Sequence, residues 1–312
     1  MKAIFMNDYG NPDVLKEQVV SIPKINDDQV LVEMYATSIN PVDSNIRAGR
    51  AKEAFPVHQF PHILGLDVAG VVIETGAKVN HFKPGDRVFG LGSSGSYAEY
   101  VVAEESMLAK LSPDIPFHIA GALPAVALTA WHSLFIYGTL QPGERCLIHA
   151  GAGGVGHVAI QMAKHAGAYV ITTASARNHD FVKELGADEV IDYQTVDFSE
   201  AINEVDVVLD AVIGANQVKN FKVLRKGGRV VSIVTPNIAD LAQEYQANAK
   251  FVVVQPTRDE LEEIERYVRE QKLTVHINRM FPLSETGLIE AHRMIETKHT
   301  KGKLVVQIKS GK

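Results

Sequence analysis

Glycines spaced as G-x-G-x-x-G stand between an apolar segment, 145–150, and an amphipathic segment, 155–166. In a strand–glycine–helix arrangement the backbone can approach a pyrophosphate, and the helix N-terminus offers free N–H groups to its negative charge. The pattern alone is common, and a packing role for the glycines is the alternative. The flanking segments favour dinucleotide binding. The predicted cofactor loop contains Gly151, Gly153, Gly154, Val155 and Gly156.

The residues that follow the second predicted strand indicate which dinucleotide binds. In such domains an acidic side chain at this point hydrogen-bonds the adenosine ribose and repels a 2′-phosphate. No Asp or Glu lies in 172–178, whereas Ser175 can donate a hydrogen bond and Arg177 can make charge-assisted contacts to phosphate. We therefore predict NADPH rather than NADH. A solvated Arg177 at the start of a helix is the alternative.

Downstream of Gly143 the sequence alternates between strand and helix patterns. Several strands are almost wholly apolar, as expected where helices cover both faces of a sheet. This pattern predicts a doubly wound parallel sheet. The predicted strands are 145–150, 168–173, 189–193, 205–212, 229–234 and 250–254, and the predicted helices are 155–166, 178–185 and 216–224.

The first 115 residues instead predict a mainly antiparallel β domain, with short strands separated by turns. Those strands are predicted at 29–36, 68–74, 87–89 and 97–102. The tail returns to strand, helix and strand, at 275–281, 284–295 and 303–308. We expect the tail to rejoin the β domain and the active site to lie in the cleft between two domains. The predicted boundaries are 1–120 completed by 273–312 for the β domain, and 121–272 for the nucleotide domain.

Composition predicts an ordinary globular protein, since 46% of the 312 residues are hydrophobic and 22% are charged. The net charge of −6 is spread along the chain without a basic stripe, so nucleic acid is not an expected partner. The apolar stretch at the start is too short for a secretory signal, which predicts a cytoplasmic location. The single cysteine, Cys146, excludes an intrachain disulfide. A small buried side chain is expected there, with a reactive thiol as the alternative.

One segment, 115–140, contains no Asp, Glu, Lys or Arg and is long enough to resemble a transmembrane helix. Prolines and glycines, including Pro116, Gly121 and Pro124, interrupt it. We predict a buried helical layer between the two domains and no association with a membrane.

Five motifs in order resemble the zinc-free quinone oxidoreductase branch, which includes zeta-crystallin, of the medium-chain dehydrogenase/reductase superfamily. They lie at residues 38–43, 65–72, 83–88, 95–100 and 150–156. The resemblance extends over essentially the whole chain. It implies an α/β protein with a GroES-like, β-rich catalytic domain and a Rossmann domain that contains a doubly wound parallel sheet.

The resemblance also bears on metals. The positions that match the catalytic zinc ligands of alcohol dehydrogenases are Asn40, Leu66 and about Ala125, which cannot supply that ligand set. The cysteine lobe that holds the structural zinc in those enzymes falls near 93–96, where this chain simply turns. We expect no metal. Three histidines without regular ligand spacing are expected to be surface or structural residues, namely His58, His62 and His81.

Without a Lewis acid, the expected substrate is one that accepts hydride readily by itself. Quinones and α,β-unsaturated carbonyls fit, because conjugation spreads the arriving charge onto oxygen. The expected reaction is therefore hydride transfer from NADPH to such an acceptor, with the proton taken from solvent. The alternative is an NADPH-binding protein with a structural or regulatory role and little catalysis. The resemblance further implies a homodimer, formed through the edge strand 250–254.

Family resemblance also suggests individual site residues. Asn40 either hydrogen-bonds a substrate oxygen or an ordered water, or caps the chain before a proline. Asp67 is expected to order the site by hydrogen bonds rather than to transfer protons. Thr129 matches a position near the nicotinamide, and helix packing is its alternative. Tyr193 matches a tyrosine that lies against the 2′-phosphate. Lys303 resembles a basic position near the cofactor, with a solvated lysine as the alternative.

Overall fold

The computed structural model describes residues 1–214 and 216–311, which form two compact units. The domain boundaries predicted at 120 and 272 remain a prediction. The first unit comprises Met1–Ala125, Pro256–Gln271 and Val275–Lys312, and the second comprises Val126–Gln255 and Lys272–Thr274.

The strands of the described residues are numbered in chain order. They are β1 (Lys2–Met6), β2 (Leu15–Val19), β3 (Gln29–Ile39), β4 (His62–Ile63), β5 (Asp67–Thr75), β6 (Arg87–Leu91), β7 (Tyr100–Glu104), β8 (Leu108–Lys110), β9 (Arg145–Ile148), β10 (Tyr169–Ala174), β11 (Glu189–Asp192), β12 (Val205–Asp210), β13 (Leu224–Ser232), β14 (Asn248–Phe251), β15 (Ile277–Pro282) and β16 (Lys303–Gln307).

The α-helices are numbered in the same way. They are α1 (Pro41–Arg47), α2 (Phe117–Ala120), α3 (Pro124–Trp131), α4 (Gly156–His165), α5 (His179–Glu184), α6 (Phe198–Ala201), α7 (Asn216–Lys222), α8 (Ile238–Glu244), α9 (Arg258–Arg269) and α10 (Glu285–Glu296). Short 3-10 turns connect some elements, and a π-helical turn, His132–Tyr137, continues α3.

The first unit contains a seven-stranded sheet in the order β15-β16-β3-β5-β6-β8, with β7 also paired to β3. Its pairings are antiparallel except for β15 with β16. The last strand, β16, lies beside β3 with Leu304 opposite Ile39. The C-terminal segment therefore pairs with the first sheet. Apolar side chains of β3, β5, β6, β7 and β8 pack into one core, which includes Val32, Val72 and Leu108.

The second unit contains a six-stranded parallel sheet in the order β11-β10-β9-β12-β13-β14. All six predicted strands are confirmed, and so are the three predicted helices, α4, α5 and α7. Most of their ends lie within two residues of the prediction, whereas β13 begins five residues before the predicted 229 and β14 ends three residues before the predicted 254. Strand β12 is buried throughout, as predicted for a sheet covered on both faces. Since the strands are parallel, their carboxyl ends share one edge, where ligands bind in such sheets.

Two helical regions complete the description. The uncharged segment 115–140 forms α2, α3 and the π-helical turn, and most of its side chains are buried. Among the described residues, no helix combines the length and the apolar character needed to cross a membrane.

Helix α9 was not predicted, although its capping box is local. The Thr257 Oγ1 accepts from the Glu260 N–H at 3.3 Å, and the Glu260 side chain accepts from the Thr257 N–H at 3.1 Å.

Candidate functional site

The glycine loop joins β9 to α4 at the carboxyl edge of the parallel sheet. Thr173 of strand β10 fixes the first residues of the loop. Its Oγ1 accepts from the Ala150 N–H at 3.2 Å, and its carbonyl oxygen accepts from the Gly151 N–H at 3.0 Å. Ala150 adopts φ 54°, in the left-handed region, so the chain reverses sharply there. Helix α4 then begins at Gly156. The predicted strand–loop–helix geometry is present.

The three glycines of the motif meet different surroundings. A Cβ at Gly151 would lie 2.1 Å from Thr172 Oγ1, and one at Gly156 would lie 2.3 Å from the Ala150 carbonyl oxygen. These two glycines allow strand, loop and helix to pack closely. A Cβ at Gly153 would meet only the Ala150 residue, at 3.2 Å from its oxygen. Gly153 therefore leaves space on the open side of the loop.

The loop can hold an anion. In the described part of the chain, no protein acceptor takes a hydrogen bond from the backbone N–H of Gly154 or Val155, which directly precede α4. Two unpaired N–H groups at the start of a ten-residue helix suit a pyrophosphate. The loop thus fits the dinucleotide that the sequence predicts.

Predicted specificity residues follow β10 and β11, which are neighbours in the sheet with Ala174 beside Asp192. Ser175 is buried and its Oγ accepts from the Asn178 side chain at 3.3 Å. Arg177 lies in a short 3-10 turn and is exposed, and Tyr193 is 51% exposed just beyond β11. These residues thus follow the carboxyl ends of two neighbouring strands, and Arg177 and Tyr193 are exposed there.

Thr129 is the remaining predicted site residue of the second unit. It lies on α3 and is partly buried. Its carbonyl oxygen accepts a hydrogen bond from Ser133 Oγ at 2.6 Å, at the junction of α3 with the π-helical turn. This contact involves the backbone of Thr129, so helix packing and a role near the nicotinamide both stay predictions for its side chain.

Cys146 lies within β9 and is completely buried. Burial raises the pKa of its thiol to about 12, so the thiol stays protonated and unreactive at neutral pH. The small buried side chain predicted for this position is confirmed, and the reactive thiol is wrong.

In the first unit, the structure brings Asn40, Asp67 and Lys303 together in one buried cluster. Asn40 stands between the end of β3 and Pro41, the first residue of α1. Its backbone N–H donates to Asp43 Oδ2 at 2.7 Å, and its carbonyl accepts from the Asp43 N–H at 3.0 Å. Asn40 therefore caps the helix with its backbone, which leaves its side-chain amide available for other contacts.

That amide lies between two charged groups. Its Nδ2 donates to Asp67 Oδ2 at 2.8 Å, and its Oδ1 accepts from Lys303 Nζ at 2.6 Å. Lys303 is only 3% exposed, so the solvated lysine considered from sequence is wrong. Burial lowers the pKa of Lys303, and the negative charges of Asp67 and Asp43 act in the opposite direction.

Asp67 is the centre of this cluster. It is fully buried and accepts hydrogen bonds from the Ser38 hydroxyl, from Asn40 Nδ2 and from the Ala125 N–H at 2.7 Å. These hydrogen bonds are the kind that an ordering role requires, and that role stays a prediction for Asp67. The positions that match the zinc ligands of alcohol dehydrogenases thus converge on Asp67: Asn40 and Ala125 contact it, and Leu66 precedes it.

A second layer of buried polar side chains was missed by sequence reasoning. Asp43 Oδ2 accepts from the Tyr97 hydroxyl at 3.1 Å, and that hydroxyl lies 3.2 Å from His292 Nε2. Arg47 Nε donates to His292 Nδ1 at 3.2 Å, and its guanidinium pairs with Glu296. The spacing Asn40-x-x-Asp43 is a local signal only for the contact between those two residues at the start of α1. No local signal points to Tyr97 or His292.

Burial is the main cause of the pKa shifts in this second layer. It raises the pKa of Asp43 to about 7, an effect that the Asn40 N–H opposes and that the nearby Asp67 reinforces. It lowers the pKa of His292 to about 3, and the positive charge of Arg47 adds to that shift. It also raises the pKa of Tyr97. At neutral pH His292 and Tyr97 are therefore neutral, and Asp43 is poised between its two forms.

The three histidines considered as metal ligands are scattered. His58 and His81 are exposed, and His62 is half-buried on β4, where burial lowers its pKa. Among the described residues, no group of three or more His, Cys, Asp or Glu side chains is arranged to hold a metal ion.

Comparison with known proteins finds matching families in both the N-terminal and the C-terminal part of the chain. Residues 26–113 match the family described as alcohol dehydrogenase GroES-like domain, and residues 185–306 match the family described as zinc-binding dehydrogenase. The chain is 35% identical to an NADPH-dependent alkenal/one oxidoreductase, chloroplastic, from Arabidopsis thaliana, over 98% of this chain and 79% of that protein.

Solved structures are similar as well. A quinone oxidoreductase from Coxiella burnetii matches with a TM-score of 0.92 and 37% identity, over 99% of each chain. The Escherichia coli quinone oxidoreductase complexed with NADPH matches with a TM-score of 0.88 and 28% identity, over 98% of this chain and 100% of that chain.

Proposed function

Because this chain belongs to the zinc-free quinone oxidoreductase branch of the medium-chain dehydrogenase/reductase superfamily, we propose that it reduces a quinone or an α,β-unsaturated carbonyl with NADPH. The observation that carries the proposal is the open glycine loop, with its unpaired N–H groups, beside a strand end that has no acidic residue. A role restricted to NADPH binding is not favoured, since the relatives are named as oxidoreductases.

Five loop residues are proposed to hold the pyrophosphate, namely Gly151, Gly153, Gly154, Val155 and Gly156. Ser175, Arg177 and Tyr193 are proposed to bind the 2′-phosphate, because they closely follow the neighbouring strands β10 and β11. When bound, NADPH supplies a hydride, which carries the two electrons of the reduction.

We propose that the Asn40 amide hydrogen-bonds the oxygen of the acceptor. During reduction of a conjugated carbonyl, negative charge accumulates on that oxygen, and a fixed amide N–H stabilises it without reorganisation. The second N–H of Asn40 Nδ2 is suited to this role, because the first already donates to Asp67. A proton from solvent completes the saturated product, so no side chain has to serve as general acid.

Steady-state oxidation of NADPH against a panel of acceptors tests the proposal. We expect turnover with quinones and with enones or alkenals, and none with simple ketones; with NADP⁺, simple alcohols should not be oxidised. Turnover with alcohols alone would contradict the proposal, as would the absence of turnover with every conjugated acceptor. Direct titration of NADPH by fluorescence is the control, since binding without turnover separates a binding protein from an enzyme.

Assembly and location are further proposals. We propose a homodimer formed through β14, which lies at the edge of the parallel sheet, and sedimentation of the purified protein measures it. The cytoplasmic location expected from the sequence also remains a proposal, and the Arabidopsis thaliana relative is named as chloroplastic. Fractionation of cells that express the tagged chain decides between these locations.

A further inference from the structure

Lys303 occupies an unusual place for a lysine, because its ammonium group is buried. It stands at the start of β16, which runs beside β3, and the register that pairs Leu304 with Ile39 brings it next to Asn40. Its Nζ lies 2.6 Å from Asn40 Oδ1 and 3.9 Å from Asp67 Oδ2. A buried ammonium is costly unless it is paired, so this position demands a function or a compensating contact.

The contacts define what the lysine can do. An ammonium only donates hydrogen bonds, and an ionised carboxylate only accepts them. Lys303 can therefore face only the oxygen of the Asn40 amide, and Asp67 can face only its nitrogen. A flipped amide would place N–H groups against the ammonium and its oxygen against the carboxylate. The two charges thus fix one orientation of an amide that could otherwise adopt two.

Fixing this orientation also strengthens the amide as a donor. The ammonium draws electron density toward Oδ1, and hydrogen bonds in a chain polarise one another at low dielectric. One N–H of Asn40 Nδ2 donates to Asp67, which leaves the other for a further acceptor. Asn40 is only 4% exposed, so its amide is shielded from bulk water.

We propose that Lys303 is a positioning residue that, together with Asp67, forces Asn40 to present an N–H to the acceptor. The inference rests on the proposed function and narrows the range of molecules that can bind at Asn40. A molecule bound at Asn40 must offer a hydrogen-bond acceptor, such as a quinone or enone oxygen. Lys303 then acts through Asn40 rather than on the cofactor, which is the other role that the resemblance implies for it.

Lys303→Met tests this inference, because methionine removes the charge and keeps an unbranched side chain. With saturating NADPH, we expect kcat/KM for an enone to fall about 10- to 100-fold, the range seen when a partner that orients an active-site group is lost. The dissociation constant of NADPH, measured by fluorescence, should change less than about twofold. The control Lys309→Met removes an exposed lysine from the chain just after β16 and should leave both quantities unchanged.

A double-mutant cycle supplies the decisive readout. If Lys303 acts through Asn40, Lys303→Met should cost little further activity in an Asn40→Ala background. Equal losses in both backgrounds would overturn the inference, and so would a tenfold loss of NADPH affinity with kcat unchanged, since that indicates direct contact with the cofactor.

Asp67→Asn keeps the inference testable if Lys303→Met does not fold. Replacing the acceptor-only carboxylate by an amide removes the second constraint on Asn40, so the same fall in kcat/KM is expected at unchanged NADPH affinity. Full activity of Asp67→Asn would overturn the inference. Failure of the proposed function is recognised separately, because the wild-type protein would then turn over none of the conjugated acceptors.

Discussion

Single side chains in this protein carry roles that depend on what surrounds them. Asn40 is an ordinary helix-capping residue by its backbone, yet its amide is held by a carboxylate and an ammonium. Arg177 contrasts with it, because its side chain is exposed at the end of β10 and is free to meet a ligand from solution. The buried residue is therefore expected to act by orientation and the exposed one by charge.

Arg177→Ala is expected to reduce the preference for NADPH over NADH. A lost charge-assisted hydrogen bond to the 2′-phosphate weakens NADPH binding about 10- to 100-fold, while NADH, which has no 2′-phosphate, is little affected. Kinetics with each cofactor at a fixed acceptor concentration measure the ratio. Lys183→Ala, which removes an exposed positive charge from α5, is the matched control. An unchanged ratio in Arg177→Ala would remove Arg177 from cofactor recognition.

At the scale of elements, the glycine loop combines a packing constraint with a binding surface. Gly151 and Gly156 are required because the Thr172 hydroxyl and the Ala150 carbonyl leave no room for a Cβ. Gly153 is different, since only Ala150 is near its added Cβ. One motif thus contains two glycines that allow β9, β10 and α4 to pack and one, Gly153, whose surroundings leave space.

This difference gives a prediction for two alanine variants. Gly153→Ala should fold with nearly the wild-type melting temperature and should bind NADPH at least about tenfold more weakly, because a methyl group intrudes on the pyrophosphate. Gly156→Ala should instead lower stability by about 1–3 kcal/mol, the usual result of overpacking. Thermal melting and NADPH titration distinguish them. Wild-type NADPH affinity in Gly153→Ala would show that the loop does not hold the pyrophosphate.

At the scale of the whole molecule, buried ionisable groups make stability depend on pH. Burial raises the pKa of Asp43 to about 7, so its contribution to stability is present below about pH 4 and is lost as pH rises through 7. Burial lowers the pKa of His149, the buried residue that directly follows β9, to about 4 and that of His292 to about 3. Their contribution is present above pH 6.5 and is lost as pH falls. The two effects oppose each other between pH 4 and 7.

Asp43→Asn should therefore steepen the rise of stability with pH. Relative to wild type, its free energy of unfolding is expected to gain about 1.4 kcal/mol per pH unit between pH 4.5 and 6.5, since one bound proton no longer favours the folded state. Urea denaturation at several pH values measures the slopes. Asp114→Asn, at an exposed position of the same unit, should follow wild type. Parallel curves for Asp43→Asn and wild type would contradict the buried, protonated Asp43.

Much of the second unit could be predicted from the sequence. Its strands and helices have strong local periodicity, and the glycine motif is contiguous, so the parallel sheet and the loop follow from residues close together in the chain. The cofactor follows in the same way from 172–178. The sequence analysis did not predict helix α9, although Thr257 and Glu260 form a local capping box. Most residues of this helix are charged, so few apolar residues mark it.

The buried cluster in the first unit was decided by tertiary structure alone. Lys303 meets Asn40 across 263 residues of sequence, and His292 meets Tyr97 across 195. Nothing near Lys303 in the chain distinguishes a buried ammonium from a solvated one, because the difference arises from the pairing of β16 with β3. Local sequence thus determined the elements and the hydride donor. Strand pairing over long separations decided which side chains lose their water and which charged groups hold the Asn40 amide.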